Sequence, residues 1–154
     1  MLQDNRFEIE EKELPDVLIA SIRWKGKYQD VGKYLGRLYK AMGRHVCGKP
    51  LGLYHDEGYN EEDADIETCV PIRKGKEKDG ITVRQLEGGP SVTLIHKGPY
   101  GEIGRSYEQI IAYAKEKGYA LQAPSREVYQ KGPGMIFKGN PKNYLTEIQF
   151  LVVK

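Results

Sequence analysis

The 154-residue chain repeats itself, and this repeat restricts the possible folds more than any single motif does. Trp24-Lys25-Gly26-Lys27-Tyr28 corresponds to His96-Lys97-Gly98-Pro99-Tyr100, and the same offset carries Val31-Gly32-Lys33 onto Ile103-Gly104-Arg105. Leu35 then meets Tyr107, and Leu38 meets Ile110. Residues 1–78 and 79–154 are therefore expected to form two similar units inside one domain spanning residues 1–154.

Each match opens a helical pattern. Val31, Leu35, Leu38 and Met42 make one apolar stripe; Ile103, Tyr107, Ile110, Ile111 and Ala114 make another, predicting two helices of about four turns. Asp30 stands where it can cap the first start and Glu102 favours the second through the helix dipole, while Gly48 and Gly118 stand where left-handed C-terminal caps are expected. A β-rich run precedes each helix, residues 17–24 and 91–96, with a shorter alternating run before it, residues 7–11 and 81–84. Pro15 and Gly88-Gly89-Pro90 separate the members of each pair. After each helix come a proline and a tyrosine in short extended segments, Pro50 with Tyr54 and Pro124 with Tyr129, and then a final strand, residues 65–72 and 145–153. The loops before those strands, residues 55–63 and 131–143, carry the Gly, Asp, Asn and Pro that turns need. The expected class is α+β: a duplicated β-α-β-β unit with pseudo-twofold symmetry, in which an antiparallel curved sheet carries both helices.

Charge narrows the function. Lysine and arginine total 24 against 22 acidic residues, a net charge of +2, and the signs are interspersed, so no direct nucleic-acid binding is expected. The most basic stretch, residues 73–78, contains a glycine and an acid and reads as a solvated linker. Cys47 and Cys69 lack CxxC spacing and neighbouring histidines, so reduced thiols are expected. The first residues lack a signal-peptide pattern and no segment has about 20 consecutive apolar residues, which predicts a cytoplasmic chain with no membrane partner.

Two carboxylates occupy matched positions in the final strands, Glu67 and Glu147. By strand parity they oppose Ile66, Val70 and Ile72 in one copy and Ile148, Phe150 and Val152 in the other, so they line either a polar pocket or open solvent. Eleven tyrosines accompany one tryptophan, and Trp24, Tyr54, Tyr100, Tyr129 and Phe137 fall near the ends of the repeated elements. A carboxylate among aromatics suits flat or cationic organic ligands through stacking, cation–π attraction and charge pairing. Lys131-Gly132-Pro133-Gly134 lacks the context of a phosphate loop and reads as a turn. His45, His55 and His96 have no metal-ligand spacing and no GxSxG elbow occurs, so neither a metal, a cofactor nor a classical triad is expected.

The ordered set His96-Lys97-Gly98-Pro99-Tyr100, a helix ending at Gly118-Tyr119, Pro124 with Arg126-Glu127-Val128-Tyr129, and Leu145-Thr146-Glu147-Ile148-Gln149-Phe150 resembles the GyrI-like small-molecule-binding family, whose fold is SOUL-like. The resemblance covers nearly the whole chain, with Leu151 standing where the family motif commonly has proline. It implies a ligand cleft near the pseudo-twofold axis and a strand glutamate in contact with the ligand, a role that falls on Glu147, with Glu67 as its internal counterpart. The family includes effector-binding domains of multidrug-responsive transcription activators, gyrase-inhibitory proteins and stand-alone hydrolases of cyclopropane-bearing DNA-alkylating toxins. Against the activators, 154 residues leave no room for a helix-turn-helix domain.

Three functions stay open. One is hydrolysis, with Glu147 or Glu67 as general base and Tyr54 or Tyr129 polarising the leaving enolate oxygen. Another is binding of hydrophobic or cationic small molecules for sequestration or sensing. The third is an interaction module that inhibits a topoisomerase or docks onto a regulator.

Overall fold

A computed structural model describes residues 8–56, 62–131 and 144–154, the side chains of Tyr100 and Lys131 excepted. Eight strands and two helices follow one order twice: β1 (Glu10–Leu14), β2 (Val17–Gly26), α1 (Val31–Met42), β3 (Leu51–Tyr54) and β4 (Ala64–Pro71), then β5 (Thr82–Leu86), β6 (Gly89–Lys97), α2 (Gly104–Lys117), β7 (Ala120–Lys131) and β8 (Leu145–Val153). The strands form a single antiparallel sheet in the order β1-β6-β8-β7-β3-β4-β2-β5, so a pseudo-twofold axis passes between β7 and β3.

The first strand of each half crosses over. β1 pairs with β6 and β5 with β2, so each half lends its leading strand to the other. Only Pro15-Asp16 joins β1 to β2, and only Glu87-Gly88 joins β5 to β6, although each pair stands at opposite ends of the strand order. Such short connections force the two ends of the sheet together and curl it into a half-barrel. The two turns touch: the Gly88 amide donates to Asp16 Oδ1 at 2.7 Å, and a Cβ at Gly88 would lie 1.9 Å from the Leu14 carbonyl oxygen, which only glycine permits.

One face of the sheet carries both helices. The α1 stripe Val31, Leu35, Leu38 and Met42 packs on Ala20, Ile22, Ile66 and Val70, whereas Ile103 and Ile110 beside and within α2 pack on Val92, Leu94, Ile148 and Val152. The other, inner face has no helix over it among the described residues, yet Ile19, Leu53 and Cys69 are fully buried there, where the curled sheet closes on itself.

Local differences from the sequence reading have local causes. Helix α1 stops at Met42, the last residue of its stripe, and the residue with positive φ is Gly43, so Gly48 is not the cap. Asp30 makes no side-chain cap; a 3-10 turn at Tyr28–Asp30 leads into the helix instead. Gly118 is left-handed and its amide reaches the Ala114 carbonyl, as expected. β1 covers Glu10–Leu14 and not residues 7–11, because pairing with β6 sets its register as far as Leu14 and Pro15 ends it; Phe7 lies outside the described residues. Pro124 does not start a short segment: it sits inside the 12-residue β7, at a break in the pairing with β8 between Gln122 and Arg126. Residues 73–80 are exposed. Among the described residues, no helix is long and apolar enough to cross a membrane.

Candidate functional site

At the pseudo-twofold axis β7 and β3 run side by side, with Glu127 directly opposite Gly52 and both on the helix face. Glu127 has no solvent exposure. The Tyr28 hydroxyl, from the turn before α1, donates to its Oε2 at 2.8 Å, and the Tyr107 hydroxyl, from α2, donates to the same oxygen. Tyr54 and Tyr129 share a hydrogen bond between their hydroxyls beside this pair. The second carboxylate oxygen, Oε1, is buried and makes no hydrogen bond among the described residues.

Glycine at 52 is a requirement of this cluster. A Cβ there would come within 2.7 Å of the Tyr129 hydroxyl and 3.0 Å of the Tyr54 ring. The space that a side chain would take holds the two phenols instead.

Burial governs the electrostatics. It pushes the Glu127 carboxyl up to about 7, against the hydroxyls of Tyr107, Tyr28 and Tyr54, which hold it down. Burial first, and the nearby carboxylate second, raise Tyr28, Tyr54 and Tyr107 well above the ordinary phenol value, so these groups stay protonated donors. Glu127 therefore exchanges a proton near neutral pH in a setting that rewards a positive partner for the carboxylate.

Aromatics extend from this centre both ways. Tyr28 lies 5.1 Å from Tyr54, ring centre to ring centre, and Tyr107 meets Phe150 edge-on at 5.9 Å. On the first half, Trp24 stacks on Tyr34 of α1 at 4.2 Å and anchors its indole N–H on Thr68 Oγ1 at 2.9 Å. Tyr34 and Tyr107 are only partly buried, so they are where the cluster meets solvent.

The structure thus gathers three of the expected residues, Trp24, Tyr54 and Tyr129, on the helix face. Phe137 and the Tyr100 side chain lie outside the described residues. Glu67 and Glu147 point to the inner face, away from these aromatics, and at 6% and 7% exposure neither meets open solvent. Glu67 accepts from Ser21 Oγ at 2.6 Å, from Arg84 at 2.9 and 3.2 Å and from His55 Nε2 at 3.1 Å. Burial would raise its pKa, but Arg84 and Ser21 outweigh burial and hold it below the ordinary carboxylate value. Glu147 pairs with Lys12 at 2.6 Å and accepts from Gln149 at 3.0 Å. The curl explains the difference from a hydrated surface: a strand face opposite an apolar stripe is normally wet, but here it closes on itself and its carboxylates bring their own cations.

Three residues escaped the sequence reading: Glu127, Tyr28 and Tyr107. The signals were present. Glu127 and Tyr129 share strand parity, as do Gly52 and Tyr54 in the other half, and Tyr107 puts a polar tip into an apolar helical stripe where the first half has Leu35. Among the described residues no group of three His, Cys, Asp or Glu side chains comes together as a metal site.

The chain matches the family described as GyrI-like small molecule binding domain over residues 7–153. EcmrR in its complex with DNA superposes with a TM-score of 0.83 at 27% identity over 96% of this chain, which spans only 58% of that EcmrR chain. The EcmrR C-terminal domain alone gives 0.80 at 27% identity, with 97% of this chain and 99% of that one covered. A hydrolase from Listeria innocua (TM-score 0.73, 15% identity, 95% and 92% covered) and SAV2435 bound to tetraphenylphosphonium (0.62, 18%, 95% and 94%) share the fold. No curated protein matches the chain.

Proposed function

The chain belongs to the GyrI-like small molecule binding domain family, and on that premise we propose that it binds flat or bulky hydrophobic molecules, organic cations above all, on the helix face against Glu127. The observation that carries this reading is a fully buried carboxylate with one oxygen lacking a hydrogen-bond partner among the described residues, inside a ring of tyrosines. An unpaired buried anion is costly, and a cation with an apolar body relieves that cost while its rings stack on Tyr34, Trp24 and Tyr107. Tetraphenylphosphonium, which SAV2435 binds, is a ligand of this chemistry. Drug sequestration and effector sensing both draw on such a site.

Titration calorimetry with tetraphenylphosphonium tests it. At pH 8 the wild type carries Glu127 largely ionised, and Glu127→Gln weakens binding by about tenfold or more; at pH 6, where Glu127 is mostly protonated, the two proteins converge. Equal affinities at pH 8 would remove Glu127 from the ligand.

A second reading rests on the same carboxyl lying near 7, which suits a general base. Glu127 takes the proton of a water that attacks the cyclopropane carbon of an alkylating toxin, the ring bond breaks, and its electron pair passes to the conjugated carbonyl oxygen, which accepts a hydrogen bond from a tyrosine hydroxyl and then the proton that Glu127 gives up. Incubation with such a toxin and mass spectrometry for the product of mass increased by one water separates an enzyme from a binder.

A further inference from the structure

Helix α1 carries a second stripe besides its apolar one. Lys33, Arg37, Lys40 and Arg44 follow the same spacing as Val31, Leu35, Leu38 and Met42, two residues out of step, so they stand on the outward side of the helix and of the 3-10 turn that continues it. All four are exposed, and no acidic residue occurs between Asp30 and Asp56. The link from β4 to β5 lies along the same helix. At one end the Arg73 amide donates to the His45 carbonyl at 2.8 Å and Arg73 Nη1 to the Arg44 carbonyl at 3.3 Å. Further on, a Cβ at Gly75 would come within 2.8 Å of Met42 Sδ, and Arg37 Nη2 donates to the Asp79 carbonyl at 3.1 Å. Residues 73–79 thus run antiparallel to α1 and beside it, which brings exposed Arg73, Lys74, Lys76 and Lys78 to the stripe.

Eight cations share this face with three acids, Asp30, Glu77 and Asp79, and Glu77 accepts from the Val83 amide at 3.3 Å. Widening the count to Lys49 and to the turns that hold Asp16 and Glu87 leaves nine cations against five acids. None of the eight forms an ion pair among the described residues. The scaffold does not require this charge, because the equivalent positions beside and within α2 are Arg105, Gln109, Ala112 and Glu116, exposed and neutral in sum. Like charges three and four residues apart weaken a helix, and the stripe sets three such pairs in a row. The helix dipole favours Lys40 and Arg44 at the C-terminal end but opposes Lys33 in the first turn, where no acid offsets it.

A polyanion relieves this repulsion, and the face selects among polyanions. Protein interfaces and membrane surfaces draw on an apolar centre, whereas the exposed large apolar side chains among the described residues, Ile111 and Val153, belong to the second half. A phosphate backbone needs only spaced cations. From Lys33 to Arg44 the stripe extends about 16 Å at 1.5 Å per residue, a length over which one strand of a duplex carries about five phosphates. The mixture of signs along the whole chain, from which no nucleic-acid binding is expected, conceals the face because its two segments lie apart in sequence. We propose that α1 and residues 73–78 form a docking face for a nucleic-acid duplex, held through its phosphate backbone without regard to base sequence.

The test uses the full chain and a fluorescein-labelled duplex of about 20 base pairs, as DNA and as RNA, followed by fluorescence anisotropy. At least one duplex is expected to bind saturably at about 50 mM salt and to lose about a hundredfold or more in affinity by about 200 mM. Arg37→Gln/Lys40→Ala/Arg44→Gln weakens binding by about tenfold or more and flattens the salt dependence, whereas Arg105→Gln/Lys115→Ala/Lys117→Ala, which removes as many charges from α2, costs less than about threefold. Should the first variant fail to fold, Lys74→Ala/Lys76→Ala/Lys78→Ala, in a segment outside the helices, is expected to weaken binding as strongly. The proposal is overturned if neither duplex binds at low salt, if affinity ignores salt, or if the α2 variant loses as much as those on the proposed face. Binding of phosphatidylserine vesicles or poly-glutamate under conditions where both duplexes fail would also overturn it, in favour of a membrane or an acidic protein.

Discussion

The two halves share a scaffold and diverge where chemistry is required. Tyr54 follows Gly52 by two residues as Tyr129 follows Glu127, so the axis that brings two tyrosines together brings a glutamate against a glycine. Trp24 stacks on Tyr34, whereas their counterparts His96 and Ser106 hydrogen-bond through His96 Nδ1 at 2.9 Å. Leu35 is plain core in α1, but its counterpart Tyr107 reaches Glu127. On the inner face the match is closer, with Glu67 on Arg84 and Glu147 on Lys12. Duplication builds the frame, and broken symmetry at the axis makes one site from two equivalent positions. Two glutamates facing each other there would both be buried and would repel.

Restoring that symmetry gives the largest expected effect. Gly52→Glu sets a second carboxylate against Glu127 and drives its Cβ to within 2.7 Å of the Tyr129 hydroxyl, so soluble folded protein is not expected at pH 8. Gly52→Ala isolates the steric part at a cost of about 2 to 3 kcal/mol in urea unfolding.

Next comes the pH dependence of Glu127. Its folded pKa is about 7 against 4.5 for the free side chain, so between these values the native state binds more protons than the unfolded one. Stability therefore falls as pH rises from 4.5 through 7, by about 3 kcal/mol in full, and the penalty is absent at lower pH. Glu127→Gln removes this slope; urea midpoints at pH 4, 6 and 8 for both proteins display it.

The inner-face pair divides the halves more gently. Glu67→Gln costs about 2 kcal/mol and Glu147→Gln about 1 at pH 7, discounted because Arg84 and Lys12 are each more than a third exposed. Glu67 carries the opposite pH sign to Glu127. Its folded pKa is depressed, so its contribution is present above 4.5 and is lost as pH falls through the folded value; Glu67→Gln flattens the acid limb of the stability curve. The smallest effect is at the aromatic edge: Tyr34→Ser makes the first half resemble the second and weakens a flat ligand by severalfold, about 1 kcal/mol, read by quenching of Trp24 fluorescence.

Much of the frame was legible because it is written in periodicity: both helical stripes, Gly118 as a cap, and the β2, β4, β6 and β8 runs follow from local pattern. The exchange of β1 and β5 was not, since Pro15 and Gly88 announce turns without saying which strand lies beyond them. The surroundings of the two strand carboxylates were legible only in part, for a related reason. Parity sent Glu67 and Glu147 to the face without helices, correctly, but whether that face is wet depends on a curl made by residues far away in sequence. Glu127 sits one residue from Arg126, and only its partner strand β3 reveals that the helix face at this point holds a charge and not another core residue.

The most direct measurement is the ¹³C titration of the glutamate side-chain carboxyls, free and with tetraphenylphosphonium bound. A carboxyl titrating near 7 in the free protein, missing in Glu127→Gln, and falling by about one unit or more on binding the cation, is the expected result. If no glutamate titrates near 7, or if one does and the cation leaves it unmoved, Glu127 is not the ligand's counter-charge.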